Sequence, residues 1–327
     1  MKNVCHLQPL KDELLSCALY MDIKPFNRFS VKAVLTATLL SIAFVIWAML
    51  IPGLRTDHVF LLILCLALWF AHPASRSFIS AFFVFVVYWI VYDSMRGFPN
   101  YTVNPVHVAE PYQIEKSIFG INVSTGRITP NEWLEQFHHP VLDLIAGFFY
   151  INWVPVPLAF AFYLMRKDRN YFMRFAYSFV AANFVGFIIY YLYPAAPPWY
   201  VQQHGFDFDL TVPSNPAGLS RVDTILGFPL FHSIYSKNAN IFAAVPSLHA
   251  AYPLLVVFYG FKRKMGWINI LFLLFATGIW FTAVYSYHHY IIDLLAGALC
   301  AVAGIAIAEL IFGRKNSNLK SMVGKAG

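Results

Sequence analysis

The chain has 327 residues, a formal net charge of +7 at pH 7, 59% hydrophobic residues and only 12% charged ones, with a mean hydropathy of +0.59. Soluble domains carry about 25% charged residues, so a soluble globular protein and a disordered one are both excluded. The positive charges sit in short clusters beside apolar runs, which is not the pattern of a nucleic-acid-binding surface.

A membrane-spanning helix needs about 20 predominantly apolar residues. Eight segments are predicted to span, at about 33–52, 58–72, 77–93, 142–165, 172–193, 247–261, 266–286 and 289–312. The fold class expected is therefore an all-α polytopic membrane protein, with 1–32 an N-terminal segment, 33–312 the transmembrane domain and 313–327 a tail. The first apolar run starts too late and is too long for a signal peptide. Aromatic residues make up 18% of the chain, as suits lipid-facing helices with interfacial belts. Two polar stretches rich in Pro, Gly, Asn and Asp, about 94–140 and 194–245, read as loops. Cys5 and Cys17 precede the first span, and Cys65 and Cys300 lie in apolar runs, so no disulfide framework is implied.

With a cytoplasmic N-terminus and eight spans, 17 of the 23 Lys and Arg residues fall inside and 6 outside, the sense of the positive-inside rule. Both terminal segments are then cytoplasmic. Nine of the 11 histidines fall outside. Histidine plays no part in that rule, so this second asymmetry points to chemistry on the outer face.

Pro246-Ser247-Leu248-His249 opens the sixth span and His288-His289-Tyr290-Ile291-Ile292-Asp293 opens the eighth, both on the outer side. Ser247 is a good N-cap, which puts His249 in the first helical turn. His289 and Asp293 are four apart and share a helix face. Asp293 can hold one imidazole N–H and leave the other nitrogen free as a nucleophile. Helix N-termini offer free N–H groups and a positive dipole end to a phosphate. The candidate catalytic residues are His249, His289 and Asp293, and no metal or cofactor is expected, because no carboxylate cluster accompanies the histidines.

Pro-Ser-Leu-His and His-x-x-x-Asp resemble the second and third signatures of the type 2 phosphatidic-acid phosphatase superfamily, over roughly 190–312. The run Tyr285–Asp293 looks most like the branch containing the inositol phosphorylceramide synthases. The resemblance implies a six-helix phosphatase-like catalytic bundle in which His289 attacks phosphorus, Asp293 orients it and His249 handles the leaving and entering oxygens. It also implies lipid substrates, phosphatidylinositol as donor and ceramide as acceptor, handled within the bilayer. The chain departs from the superfamily in two places. Thr282 and Ala283 stand where the third signature has Ser-Arg. The apparent first signature, Lys167 to Arg174 followed by Phe175, falls on the cytoplasmic side and is rejected.

Something cationic should hold the phosphate. Arg96, with Asp93 beside it, is the first choice, followed by Arg221 and Lys237. Trp199, in the Pro-rich stretch after the fifth span, is expected to wall the site, and Ser247 to contact substrate. His138, His139 and Asp143 echo the spacing of the 288–297 motif at the start of the fourth span and are candidate head-group contacts. Asn100-Tyr101-Thr102 and Asn122-Val123-Ser124 match the N-glycosylation pattern on the expected outer side, which has meaning only in a eukaryotic secretory host. Three readings stand at this point. They are phosphoinositol transfer through a phosphohistidine, hydrolysis of a lipid phosphate or polyprenyl diphosphate with water as acceptor, and a transporter or scaffold built on internal repeats.

Overall fold

The computed structural model describes residues 27–238 and 240–323, with side chains described to residue 313. Most of the expected N-terminal segment, Cys5 and Cys17, and the end of the tail lie outside the described residues. The chain divides into two compact units, one ending at Phe82 and one beginning at Phe83.

The first unit is built from α1 (Val31–Leu50), α2 (Thr56–Ala71) and the start of α3 (Pro73–Ser94). Ser30 caps α1 by accepting from Ala33 N–H. α1 and α2 are joined by a tight turn and tied by Trp69, whose indole donates to the Ala33 carbonyl at 3.2 Å.

The second unit begins within α3. It continues with α4 (Ala109–Phe119), a hairpin of β1 (Ile121–Val123) and β2 (Gly126–Ile128), and α5 (Pro130–Glu135). α6 (Pro140–Ile151), α7 (Pro155–Lys167) and α8 (Arg169–Leu192) follow. Three short helices come next, α9 (Pro198–His204), α10 (Ser220–Leu226) and α11 (Leu230–Tyr235). The chain closes with α12 (Leu248–Lys262), α13 (Ile268–Tyr285) and α14 (Ile291–Val323).

Among the described residues five helices, α1, α3, α8, α13 and α14, are long and apolar enough to cross a membrane, and α6 with α7 makes a sixth if the pair is one bent span. The segment expected as one helix over 142–165 is two helices bent by 41°. Pro155 and Pro157 explain the break. Neither has an N–H for the preceding turn, and both suit a helix start. α2 and α12, at 16 and 15 residues, are shorter than the other expected spans. The last helix runs on to Val323, past the expected boundary of the tail.

α8 lies along α14, and α12 packs against α13, α14, α8 and α7. The approach of α8 to α14 depends on small residues. A Cβ on Gly304 would stand 2.4 Å from the Ser178 carbonyl oxygen, the kind of backbone approach that small residues permit between membrane helices.

The two polar stretches are not plain loops. α4, α5, α9, α10, α11 and the hairpin order them over one end of the bundle. None of these elements is long enough to be stable alone, and their stability comes from contacts. Ala195 bonds to Phe242 and Ala244, and His107 to Pro194 and Ala196, stitching the two stretches together. Asn100 is fully buried, its amide donating to the Tyr190 and Phe242 carbonyls at 2.8 Å each. The Asn100 pattern is thus used internally, whereas Asn122 is exposed.

Candidate active site

His249, His289 and Asp293, expected from two separate motifs, come together at the capped end of the bundle. Ser247 caps α12, its Oγ accepting from Ala250 N–H at 3.4 Å, and this places His249 in the first turn. Pro253 lies inside α12. It cannot donate to the carbonyl four residues back, that of His249, so the turn carrying this histidine lacks one helical bond. His249 sits against Trp153 (ring centroids 4.4 Å) and Tyr150 (5.3 Å).

His289 arrives on a tight turn between α13 and α14. Tyr287 adopts a left-handed backbone with φ 59°, a costly conformation for a bulky residue that persists only where surroundings enforce it. The surroundings are specific. His288 and His289 N–H both donate to the Ala283 carbonyl at 3.0 Å. Trp199 N–H donates to the Tyr287 carbonyl and Gly218 N–H to that of Ser286, each at 3.0 Å. The buried Asn131 amide donates to the carbonyls of Val284 (2.8 Å) and His289 (3.0 Å). The His288 ring is stacked between Tyr150 and Tyr235, with centroids at 5.1 and 4.5 Å.

The result is a line of three groups. His289 Nε2 lies 3.3 Å from His249 Nδ1, and His289 Nδ1 lies 3.4 Å from Asp293 Oδ2. The second distance is longer than a well-formed hydrogen bond, as is common in catalytic sites without substrate. Asp293 is fully buried and its Oδ2 accepts from Tyr290 N–H at 2.9 Å. α12 and α14 are braced here. Ser247 N–H donates to the Asp293 carbonyl at 2.9 Å, and a Cβ on Gly297 would stand only 2.0 Å from the Ser247 carbonyl oxygen. Chemically this arrangement can supply a nucleophile with a proton-transfer partner on one side and an orienting carboxylate on the other.

The histidines open on a cavity of about 360 Å³. Its walls are largely aromatic, with Tyr88, Trp89, Tyr92, Trp153, Tyr190, Trp199 and Tyr252 among them, and Lys237, Asn238, Asn240, Ser214 and Asn215 supply polar groups. Trp199 and Pro197 do line the site. Lys237 is the one Lys or Arg in the lining among the described residues. Arg96 does not line it. Its guanidinium is turned to Asp93 (3.2 Å) and to the Lys237 carbonyl, so it holds the segment that carries Lys237.

Arg221 also points elsewhere, to Asp143 at 2.8 Å and Glu135 at 3.4 Å, over the Tyr285 ring. Asp143 accepts from Tyr285 hydroxyl at 2.8 Å as well. His139 caps α6 through Val141 N–H, and the exposed His138 meets the Glu135 carbonyl at 2.9 Å. The 138–147 echo therefore contributes the buried Asp143 to a polar cluster with Arg221, Glu135 and Tyr285 rather than a wall of the cavity, while His138 and His139 stay exposed. Where the superfamily signature has Arg, Ala283 is fully buried in an apolar cluster with Tyr150, Leu219 and Val284, with no space for a longer side chain. Arg174 pairs with Glu309, which also meets Lys262. Lys262 is 13 residues along α12 from His249, a separation of about 20 Å at the helical rise.

One expectation needs correcting. The N-terminus of α14 is not open to a phosphate, because Glu115 on α4 accepts from Ile291 N–H (3.1 Å) and Ile292 N–H (3.2 Å). Glu115, Asn131, Tyr150, Trp153 and Tyr235 all shape the site without having been visible in its motifs. Among the described residues no group of three or more His, Cys, Asp or Glu side chains is placed to hold a metal ion.

A family model described as the PAP2 superfamily matches residues 126–307, more than half of the chain, and spans every residue of this line. The chain belongs to the PAP2 superfamily. Within it, the chain is 45% identical to the phosphoinositol dihydroceramide synthase of Bacteroides thetaiotaomicron, over 84% of this chain and 91% of that one. It is 28% identical to the inositol phosphorylceramide synthase of Candida albicans over 78% of this chain, and 27% identical to the inositol phosphorylceramide synthase catalytic subunit AUR1 of Saccharomyces cerevisiae over 70%. It spans about half the length of those fungal relatives, 53% and 56%. No solved structure matches it.

Proposed function

We propose that this PAP2-superfamily protein transfers phosphoinositol from phosphatidylinositol to ceramide or dihydroceramide. Its likeness to synthases named for that kind of product supports the substrate class. The observation that carries the mechanism is His289 held between His249 and Asp293.

Neutral His289 attacks phosphorus through Nε2 while Asp293 accepts the hydrogen bond of its Nδ1–H, which stays on the ring throughout. The bond from phosphorus to the diacylglycerol oxygen breaks, and His249 gives that oxygen its proton, releasing diacylglycerol. His249 then accepts the proton of the ceramide hydroxyl. The alkoxide attacks phosphorus, the phosphorus–nitrogen bond breaks and His289 is regenerated. Such acid–base help is worth about 10²- to 10⁴-fold. A phosphodiester carries one negative charge, so Lys237 and the start of α12 suffice where the superfamily signature adds an arginine. The aromatic walls and the amides of Asn215 and Asn238 suit a polyol head group, and the acyl chains remain in the bilayer.

The same reading places all eight expected segments across the membrane, with α2 and α12 as short spans, α3, α6–α7, α8, α12, α13 and α14 as the six-helix catalytic bundle, and the site on the extracytoplasmic face. The experiment is turnover of head-group-labelled phosphatidylinositol by purified protein in mixed micelles, with and without ceramide. Label entering a new lipid only with ceramide is the expected result. Water-soluble label regardless of ceramide would make the protein a hydrolase instead.

A further inference from the structure

Glu115 is a carboxylate that the transfer mechanism leaves unused. It lies on α4, ahead of the segment matched by the family model, and it is fully buried. Acids are almost never fully buried unless paired, yet the cation one residue on, Lys116, is turned to the Tyr112 hydroxyl at 3.3 Å. The partners of Glu115 are instead Ile291 and Ile292 N–H, the first two of α14, one for each carboxylate oxygen. Those two groups begin the helix whose third residue is Asp293. The bond from Tyr290 N–H to Asp293 Oδ2 and the His289 ring lie immediately alongside.

We infer that Glu115 is a positioning residue for the reaction: as a carboxylate it clamps the start of α14 and so fixes His289 and Asp293 against His249, and protonation releases the clamp. This rests on reading His289 as the nucleophile. A carboxylate offers acceptors on both oxygens, whereas the protonated acid turns an O–H donor toward one of the two N–H groups. The geometry observed, two N–H groups on two oxygens, is that of the charged form. The His289–Asp293 separation is already 3.4 Å, so a small further shift of the first turn of α14 breaks that alignment.

Among the described residues, Asp293 and Tyr290 on the segment opening α14 interact electrostatically with Glu115, while Tyr112 and Lys116 share its helix and Tyr112 meets Glu132 on α5. Burial pushes the Glu115 carboxyl up to about 7, with the two backbone N–H groups pulling it down and Asp293 pushing it up. It therefore changes state in the neutral range, where a surface glutamate is already ionised.

The test is kcat and KM against pH, from 5 to 8.5, in mixed micelles of phosphatidylinositol and ceramide, for wild type, Glu115→Gln, Glu115→Asp and His289→Ala. Wild-type kcat is expected to rise through a limb near pH 7. Glu115→Gln, which can accept only one of the two N–H groups well, is expected to lose about 10- to 100-fold in kcat at pH 8, with donor KM within about threefold, and to lack the limb near 7. Glu115→Asp should keep the limb at reduced kcat. A wild-type kcat that is flat from pH 8 to 5, or Glu115→Gln with wild-type kcat and an unchanged limb, would overturn the inference. Should the Gln variant fail to insert, the wild-type limb and its retention in Glu115→Asp decide the matter. An active His289→Ala defeats the nucleophile reading itself, whereas an inactive one beside a wild-type-like Glu115→Gln defeats only the clamp.

Discussion

Gly297 is the residue at which the geometry makes its sharpest demand. It lies one turn beyond Asp293 on the same face of α14, where the start of α12 crosses. A methyl group there would stand 2.0 Å from the Ser247 carbonyl oxygen and 2.9 Å from its carbonyl carbon. Both obstacles are backbone, so no side chain can swing aside. Ordinary contact begins near 3.4 Å, so in Gly297→Ala the two catalytic helices must part by about 1.4 Å. The same movement lengthens the 2.9 Å bond from Ser247 N–H to the Asp293 carbonyl and the 3.3 Å separation of His249 from His289. A misplacement of about 1 Å in a catalytic constellation costs about 100-fold in rate, and overpacking costs about 1–3 kcal/mol of stability. Gly297→Ala is therefore expected to insert and purify, and to lose about 100-fold in kcat for transfer from labelled phosphatidylinositol to ceramide. Gly313→Ala, on the same helix with nothing within 4 Å of the added methyl, is the control and should retain full activity. A Gly297→Ala enzyme with more than about half of the wild-type kcat would refute the argument that this crossing sets the site.

Lys237→Ala should lower kcat/KM for the donor by about tenfold or more, and Arg96→Ala by less, since Arg96 reaches the site only through the Lys237 carbonyl; initial rates showing the reverse order would remove Lys237 as the phosphate-holding group. Lys167→Ala should leave turnover within about twofold, as for an ordinary exposed charge, and a collapse would mean that the 166–174 basic cluster belongs to the active site. The folded pKa of Glu115, about 7, lies above its ordinary 4.5. The folded state thus holds an extra proton between those values, and its contribution to stability falls as pH rises from about 4.5 to 7. Thermal unfolding should show wild type gaining stability relative to Glu115→Gln as pH falls from about 7 to about 4.5, opposite in sense to the gain in activity. A relative stability that stays constant from pH 7 to 4.5 would mean that Glu115 is ionised throughout that range.

The catalytic line was legible because each member belongs to a local pattern. Pro-Ser-x-His sets an N-cap and a first-turn histidine, and His-x-x-x-Asp sets two residues on one helix face. The apolar runs likewise marked α1, α3, α8 and α13 to within a few residues, but not the break between α6 and α7 or the polar extension of α14 to Val323. What was not legible depends on contacts distant in sequence. Glu115 sits in Ala-Glu-Pro-Tyr-Gln-Ile-Glu-Lys, where it reads as one more solvated charge, and only its meeting with Ile291 and Ile292, 176 and 177 residues on, gives it a role. The cap helices are too short to impose a periodic signal. Arg96 illustrates a third limit. It lies just past the end of α3, but the direction of its side chain is set by Asp93 and the Lys237 carbonyl, which spacing does not reveal.

The central claim is that the phosphoinositol group passes through His289. Two in-line displacements at phosphorus restore the original configuration, whereas direct attack by the acceptor inverts it. The deciding measurement is the stereochemical course of transfer from phosphatidylinositol made chiral at phosphorus to ceramide. Retention is the predicted result, and inversion would contradict the account.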